Sequence, residues 1–186
     1  MSFFEPMPQR KDFELPPWRP PLWDRPSEGT IGAVVPVGEI VVRDDTLVAS
    51  VDHLRVHPNG FLIDFLLLRH PEAARRELRP PFMGPGSWPR VGVLFADGRA
   101  AGRGAPDAPV MDVPKDDVGI PTVPVLLPGG GGGGGSEYHF RVWVFPLPPD
   151  GPLSIFVQLG DLPEGHTTLD GALVREAAGR AQVIWS

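Results

Sequence analysis

Seven consecutive glycines, residues 129–135, pose the first chemical question of this sequence. Glycine-rich loops hold phosphate groups when a few glycines stand at fixed offsets between a strand and a helix, with a lysine or the helix N-terminus beyond them. Here the glycines are uniform, no lysine follows them, and the next residues alternate like a strand. A run without side chains specifies no single conformation. We therefore interpret it as slack chain, with a mobile flap over a site as the alternative and a phosphate cradle as the least favoured hypothesis.

Two histidines are the next candidates for chemistry. His53 and His57 are four residues apart, so on a regular strand both side chains point to the same face and could ligate one metal ion. Arg55 lies between them and would repel a cation, and no HExxH motif accompanies them. We therefore predict exposed histidines on a strand face and no metal site.

Acidic, hydroxyl and thiol side chains suggest no catalytic centre. Asp112, Asp116 and Asp117 cluster in one loop, but they lack the alternating oxygen ligands and terminal glutamate of an EF-hand, so we expect solvated loop acids. No serine lies in a GxSxG motif. The chain has no cysteine, which excludes disulfides and thiolate chemistry. We assign no catalytic residue and expect no cofactor.

The composition indicates one folded domain with long irregular connections. The chain has 186 residues, of which 41% are hydrophobic, and its Gly 23 and Pro 25 cluster between apolar blocks. A net charge of -6 and a sequence pI near 5.3 oppose binding to nucleic acid, which needs clustered Lys and Arg. The longest apolar stretch, residues 61–68, is too short to span a bilayer, and the N-terminal residues lack the apolar stretch of a signal peptide. We predict a soluble cytoplasmic protein that binds neither nucleic acid nor membranes.

The first 28 residues form a proline-rich arm, because the prolines between residues 6 and 26 prevent a helix or an interior strand. The arm also contains Trp18, Leu22 and Trp23, although disordered tails are usually poor in aromatic residues. We predict that the arm docks on a β-sheet face of its own domain or of a neighbouring subunit. A PxxP ligand motif at residues 17–20 is a weaker hypothesis.

Two turn signals predict β-hairpins in the first half of the chain. Asn59-Gly60 separates two β-rich runs, and Asp97-Gly98 separates two more. Such pairs tolerate the positive φ angles that tight hairpin turns need.

The run before the first of these turns contains a change of parity. Its apolar positions shift by one, so we predict a β-bulge near Asp52 or His53 that restores the core face. Residues 61–69 are apolar at both parities, which predicts a central strand covered on both faces. Asp64 interrupts that strand and would need a hydrogen-bond partner if it is buried.

The segment after the glycines predicts a further hairpin. Residues 138–145 and 153–159 both alternate strictly, and we predict that they pair with each other. This pairing would place Arg141 opposite Phe156 and Trp143 beside them, as an aromatic and cation–π patch.

The final segment predicts a helix capped by Thr168 or Asp170, followed by a short strand over residues 182–185. The fold class that follows is mainly β: an antiparallel β-sandwich with one C-terminal helix and long Pro/Gly-rich loops. We expect residues 29–186 to form a single domain, with an irregular Gly-rich loop at about residues 100–136.

The segment RVWVFPLPPDGPLSIFVQLGDLP, the glycine tract before it and the closing LDGALVREAAGRAQVIW resemble a group of uncharacterised proteins from high-GC actinobacteria. The similarity covers residues 34–186 and is strongest at the C-terminal end. It implies no activity, cofactor or catalytic residue. GC-rich codons would also favour glycine, so the glycine run is partly a matter of base composition.

Two functions remain open. The Trp-rich arm and a sheet that is apolar on both faces favour a non-enzymatic intracellular protein that acts by protein–protein interaction or self-association. The candidate interaction surface consists of Trp18, Leu22, Trp23, Arg141, Trp143 and Phe156. The alternative is a small-ligand-binding protein or an enzyme, with a site beneath the Gly-rich loop near His139 and Arg141.

Overall fold

The computed structural model describes residues 21–76, 89–103 and 113–185. The strands are β1 (Thr30–Ile31), β2 (Ala33–Arg43), β3 (Leu47–His57), β4 (Gly60–Arg69), β5 (Arg90–Leu94), β6 (Ala100–Arg103), β7 (Val125–Gly134), β8 (Glu137–Phe145), β9 (Pro152–Gln158), β10 (Gly165–Asp170) and β11 (Gln182–Val183). The helices are α1 (Pro71–Arg76) and α2 (Gly171–Arg180).

Two antiparallel sheets pack face to face as a β-sandwich, which confirms the predicted fold class. The five-stranded sheet has the order β2-β3-β4-β8-β7, and the four-stranded sheet has the order β10-β9-β5-β6. Strand β2 contacts β10 and strand β7 contacts β6, so the sheets lie edge over edge. Strands β1 and β11 form a separate two-stranded ribbon.

The core lies between the sheets, because alternate side chains of their central strands point inward. Its largest fully buried members include Phe61, Phe65, Phe95, Leu54, Ile63, Leu153 and Ile155. Helix α2 closes one end of the core with Val174 and Ala177. Asp170 begins this helix as its N-cap, since its carboxylate accepts a hydrogen bond from the Ala172 N–H at 2.9 Å.

Both predicted hairpins are present. Strands β3 and β4 turn through Pro58 and Asn59, so Gly60 already belongs to β4. Strands β5 and β6 turn through Asp97 and Gly98, and Gly98 has a φ of 84°, which suits glycine.

The predicted bulge in β3 is also confirmed. The ladder between β3 and β4 shifts between Val51 and His53, which leaves Asp52 as the extra residue. Val51 before the bulge and Leu54 after it are both fully buried. The bulge therefore keeps the apolar side chains of both halves of the strand in the core.

The glycine run is not slack chain, and residues 100–136 are not an irregular loop throughout, because β6 and β7 lie within that range. Gly131 to Gly134 pair with β8, opposite residues 137–140. Glycine carries the same backbone donor and acceptor as any other residue, and β8 supplies a template for them. Strand pairing therefore specifies a conformation that the side chains of this segment do not.

The predicted hairpin of residues 138–145 with 153–159 is wrong. Strand β8 lies between β4 and β7 in one sheet, whereas β9 lies between β5 and β10 in the other. The inward positions that the alternation predicts are confirmed, since Val144 and Leu153 are both fully buried. Both belong to the core between the sheets, but to strands of different sheets.

The described part of the arm, residues 21–28, lies against its own domain through contacts given below. Residues 1–20 lie outside the described residues. No helix within the described ranges is long and apolar enough to cross a membrane.

Candidate functional site

The outer face of the five-stranded sheet contains most of the candidate residues that the sequence predicts. Strand register places its side chains in rows across the sheet, because residues directly opposite each other in a ladder point to the same face. One row contains Arg55, Leu62 and Trp143. The next contains His53, Asp64 and Arg141, and is called the polar row below.

The side chains of the polar row lie close to one another. His53 Nδ1 lies 2.8 Å from Asp52 Oδ2, and His53 Nε2 lies 3.4 Å from Asp64 Oδ2. Arg141 Nε lies 3.9 Å from Asp64 Oδ1. Asp64 has a side chain only 14% exposed, and its Oδ2 is buried without a hydrogen bond, because the approach of His53 meets the distance for an ion pair but not hydrogen-bond geometry. Asp64 thus has Arg141 and His53 as neighbours, while its Oδ2 lacks the hydrogen-bond partner that a buried carboxylate oxygen requires.

The end of the outer face next to the β3–β4 turn is sealed by the arm. Trp143 is fully buried there, and its Nε1–H donates to the Trp23 carbonyl oxygen at 2.9 Å. The Lys115 ammonium lies 5.1 Å from the centroid of the Trp23 ring, a cation–π distance. The described part of the arm therefore covers apolar surface of its own domain, which is one of the two predicted docking sites.

Asn59 anchors the arm from the β3–β4 turn. Its Nδ2 donates to the carbonyl oxygens of Leu22 at 2.6 Å and Arg25 at 2.8 Å. Its Oδ1 accepts from the Ser27 N–H at 3.0 Å. One side chain therefore satisfies three backbone groups of a segment that has no strand partner of its own, which is how a short irregular segment is held in place.

His57 lies beneath the arm and is buried, so the predicted exposure of this histidine is wrong. The Thr30 hydroxyl donates to the Ser27 carbonyl at 2.6 Å, and therefore accepts from His57 Nδ1–H at 2.9 Å. Burial, and then the positive charge of Arg55, lower the pKa of His57. His53 and His57 do share one face, because the bulge precedes both residues.

Beyond the polar row the outer face is partly open, and its apolar side chains share their two rows with Ser50, His139, Arg43 and Glu137. Ile40 lies opposite Ser50, which lies opposite Leu66, and in the next row Val48 lies opposite Leu68. Ile40 is 56% exposed and Leu68 is 41% exposed. The open apolar zone, as it is called below, consists of Ile40, Val48, Leu66 and Leu68.

Strand β7 continues this face to its edge without side chains. A Cβ atom added to Gly132 or Gly134 would meet no atom within 4 Å, so nothing covers the outer face at these positions among the described residues. Arg141 lies across the strand, since its Nη2 is 3.6 Å from the position of a Cβ on Gly130. His139 is exposed and its Nε2 lies 3.0 Å from Glu137 Oε1. The glycines lie in the plane of the sheet beside His139 and Arg141, so they do not cover a site there as the alternative function required.

The candidate interaction surface is brought together only in part. Trp23, Arg141 and Trp143 lie on the outer face of the five-stranded sheet, and Leu22 is 70% exposed beside them. Trp18 lies outside the described residues.

Phe156 belongs to the other sheet, where it lies opposite Gly92 and stacks with His166 at 5.6 Å, so the predicted patch with Arg141 does not form. The outer face around Phe156 has a shallow depression of about 630 Å³. Its floor is flat because Gly92 lies opposite Gly102, and Arg90 at one end donates to Gln158 Oε1 at 2.9 Å. The depression is open to solvent and carries no convergent set of charged groups.

No metal site is found in the described ranges, where no three His, Asp or Glu side chains come together in a way that could hold an ion. Asp116, one of the predicted loop acids, instead accepts hydrogen bonds from the N–H groups of Val118 and Ile120 and so shapes its own turn. Asp112 lies outside the described residues.

Sequence reasoning missed Asn59 as an anchor and the open apolar zone as a surface. Asn59 was interpreted only as a turn residue, and its contacts join residues more than thirty positions apart. The available signal was the two-sided apolar pattern of β4, which predicted a covered outer face. Only the part around Leu62 is covered by described residues, while Leu68 at the far end is exposed.

Comparison with known proteins gives no relative from which a function could be transferred: no family model, no curated protein and no solved structure matches the chain.

Proposed function

We propose that this chain is a non-enzymatic intracellular binding protein that acts through the outer face of its five-stranded sheet, by contact with another protein chain. The observation that carries the proposal is the open apolar zone. Exposed apolar side chains are commonly scattered singly, whereas here Ile40 and Leu68 are exposed in adjacent rows of one face, with the half-buried Leu66 in the row of Ile40. Contiguous apolar surface bordered by charge is typical of protein-binding sites.

The polar row supports binding rather than catalysis. His53 lies between Asp52 and Asp64, and Arg141 approaches the Asp64 carboxylate, so these polar side chains contact one another on the strand face. An enzyme site would instead collect such groups in a concave pocket that excludes water. A flat face with paired charges beside apolar side chains suits the rim and centre of a protein interface.

Affinity purification with matched variants tests this proposal. Leu68→Glu places a charge in the open apolar zone, and Leu94→Glu is the control, because Leu94 is 39% exposed on the outer face of the other sheet. We expect Leu68→Glu to weaken capture of the native partner about thirtyfold, as burial of one leucine is worth about 2 kcal/mol, and Leu94→Glu to leave capture unchanged. Equal capture by both variants would show that this face does not bind. Loss with Leu94→Glu alone would instead favour a ligand or partner at the depression beside Phe156.

A further inference from the structure

The two edges of the five-stranded sheet differ in how they are protected against pairing with another strand. Strand β2 has two register irregularities, contains Pro36 and contacts β10 and α2. Prolines, bulges and covering elements are the usual protection of edge strands. Strand β7 also contains a proline, Pro128, a register shift between Pro128 and Gly131 and a contact with β6, so its regularly paired and exposed part is Gly131 to Gly134. The glycine half of β7, residues 129–134, is mostly exposed, and among the described residues no strand pairs with its outer side. Its backbone can therefore accept another strand.

Strand β8, beside this edge, has a positive side chain at one end of the glycine half and a negative side chain at the other end. Arg141 lies at the start of the glycine half, where its guanidinium crosses β7 at Gly130. Glu137 lies at the far end, directly opposite Gly134. Between them His139 lies opposite Gly132. One positive side chain, Arg141, and one negative side chain, Glu137, thus lie two residues on either side of His139, which is opposite Gly132.

This order is self-complementary under a two-fold axis perpendicular to the sheet. If β7 of one copy pairs antiparallel with β7 of a second copy, centred on Gly132, then Gly130 of each copy lies opposite Gly134 of the other. The Arg141 row then continues into the Glu137 row of the second copy, twice. The two β8 strands are three strand spacings apart, about 14 Å, and only glycine backbone lies between them, so the long side chains can approach each other over a side-chain-free surface.

We propose that the glycine half of β7 is a self-association edge, where a second copy of the chain pairs antiparallel to form one continuous ten-stranded sheet. The inference rests on the proposed function and adds a second copy of the chain as one partner, at the edge of the same sheet. A second copy suits this edge better than a different protein does, because the order of charges along the edge is complementary to the same edge running in the antiparallel direction. The interface is small compared with that of a permanent dimer, so the association is weak and concentration-dependent.

Charge reversal tests the geometry directly. Sedimentation velocity over a concentration series is run on the full chain and on the variants Arg141→Glu and Glu137→Arg. Each variant alone sets like charges against each other at both ends of the interface, and we expect each to weaken self-association about tenfold or more. Mixing the two variants restores opposite charges at both ends, so the mixture should associate about as strongly as the wild-type chain. Arg43→Glu is the control, since it reverses the same charge on the other edge strand, β2.

The mixture separates this inference from damage to the fold, because two misfolded variants do not rescue each other. A second readout is hydrogen exchange of the β7 amides, which should slow as the protein concentration rises. A wild-type chain that stays monomeric at every concentration overturns the inference, as does a dimer that is indifferent to both reversals. Neither result touches the proposed function, which Leu68→Glu tests separately through capture of a partner.

Discussion

Alanine at Gly131 and at Gly132 should have opposite effects on stability, although the two residues are neighbours in one glycine run. A Cβ on Gly131 would lie 2.6 Å from the His139 carbonyl oxygen and 3.0 Å from the Phe140 Cα. These are backbone atoms of β8 that cannot rotate away. A Cβ on Gly132 would meet nothing within 4 Å. Neither residue has a positive φ, so the comparison isolates the steric contact.

The magnitudes follow from two opposing terms. Any glycine-to-alanine change at a compatible position stabilises by about 0.4–1 kcal/mol, because it lowers the entropy of the unfolded chain. The overlap at Gly131 costs about 1–3 kcal/mol, since β7 must move away from β8 to relieve it. We therefore expect Gly131→Ala to destabilise by about 1–2 kcal/mol and Gly132→Ala to stabilise by about 0.5 kcal/mol.

Urea unfolding of the two variants beside the wild-type chain, followed by circular dichroism, measures this difference. In a chain of this size 1 kcal/mol corresponds to a shift of about 2–4 °C in Tm, so thermal unfolding gives an independent check. The measurements are made at low protein concentration to keep self-association out of the comparison. If the two variants have the same stability, the glycines are slack chain after all, and the pairing of β7 with β8 is wrong.

Three further outcomes follow from the arm and the helix. The pKa of His57 is lowered in the fold, so the unfolded state gains a proton first; the free energy of unfolding should fall as the pH drops below about 6.5, and His57→Gln should reduce this slope in urea titrations at several pH values. Asn59→Ala removes three hydrogen bonds to residues 21–28 and should cost about 1–3 kcal/mol, with faster proteolysis within that segment; unchanged proteolysis would mean that Asn59 does not hold the arm. Asp170→Ala removes the N-cap of α2 and should cost about 1 kcal/mol in urea unfolding, whereas Asp170→Ser should retain most of the stability.

Local features of this protein could be predicted from its sequence. The turn at Asn59, the bulge at Asp52 and the cap at Asp170 each depend on residues within a few positions of one another. Alternation of apolar side chains also identified the inward residues of β8 and β9, because a strand exposes its two faces with a period of two whatever lies beside it. The class of fold follows from many such strands and one late helix.

The neighbours of each strand were decided only by the tertiary structure. Alternation indicates which side chains point inward, but the same pattern fits pairing within one sheet or packing across a core, which is why β8 and β9 were assigned to each other wrongly. The glycine run is the extreme case, because it has no side chains to indicate a face and becomes a strand only where β8 offers backbone partners.

The candidate site also depends on which strands are neighbours. Its polar row joins residues of β3, β4 and β8, and the sealed end depends on Trp23 meeting Trp143, 120 positions away in the chain. Such contacts are long-range because they arise from sheet order and register, which only the packing of the whole chain determines.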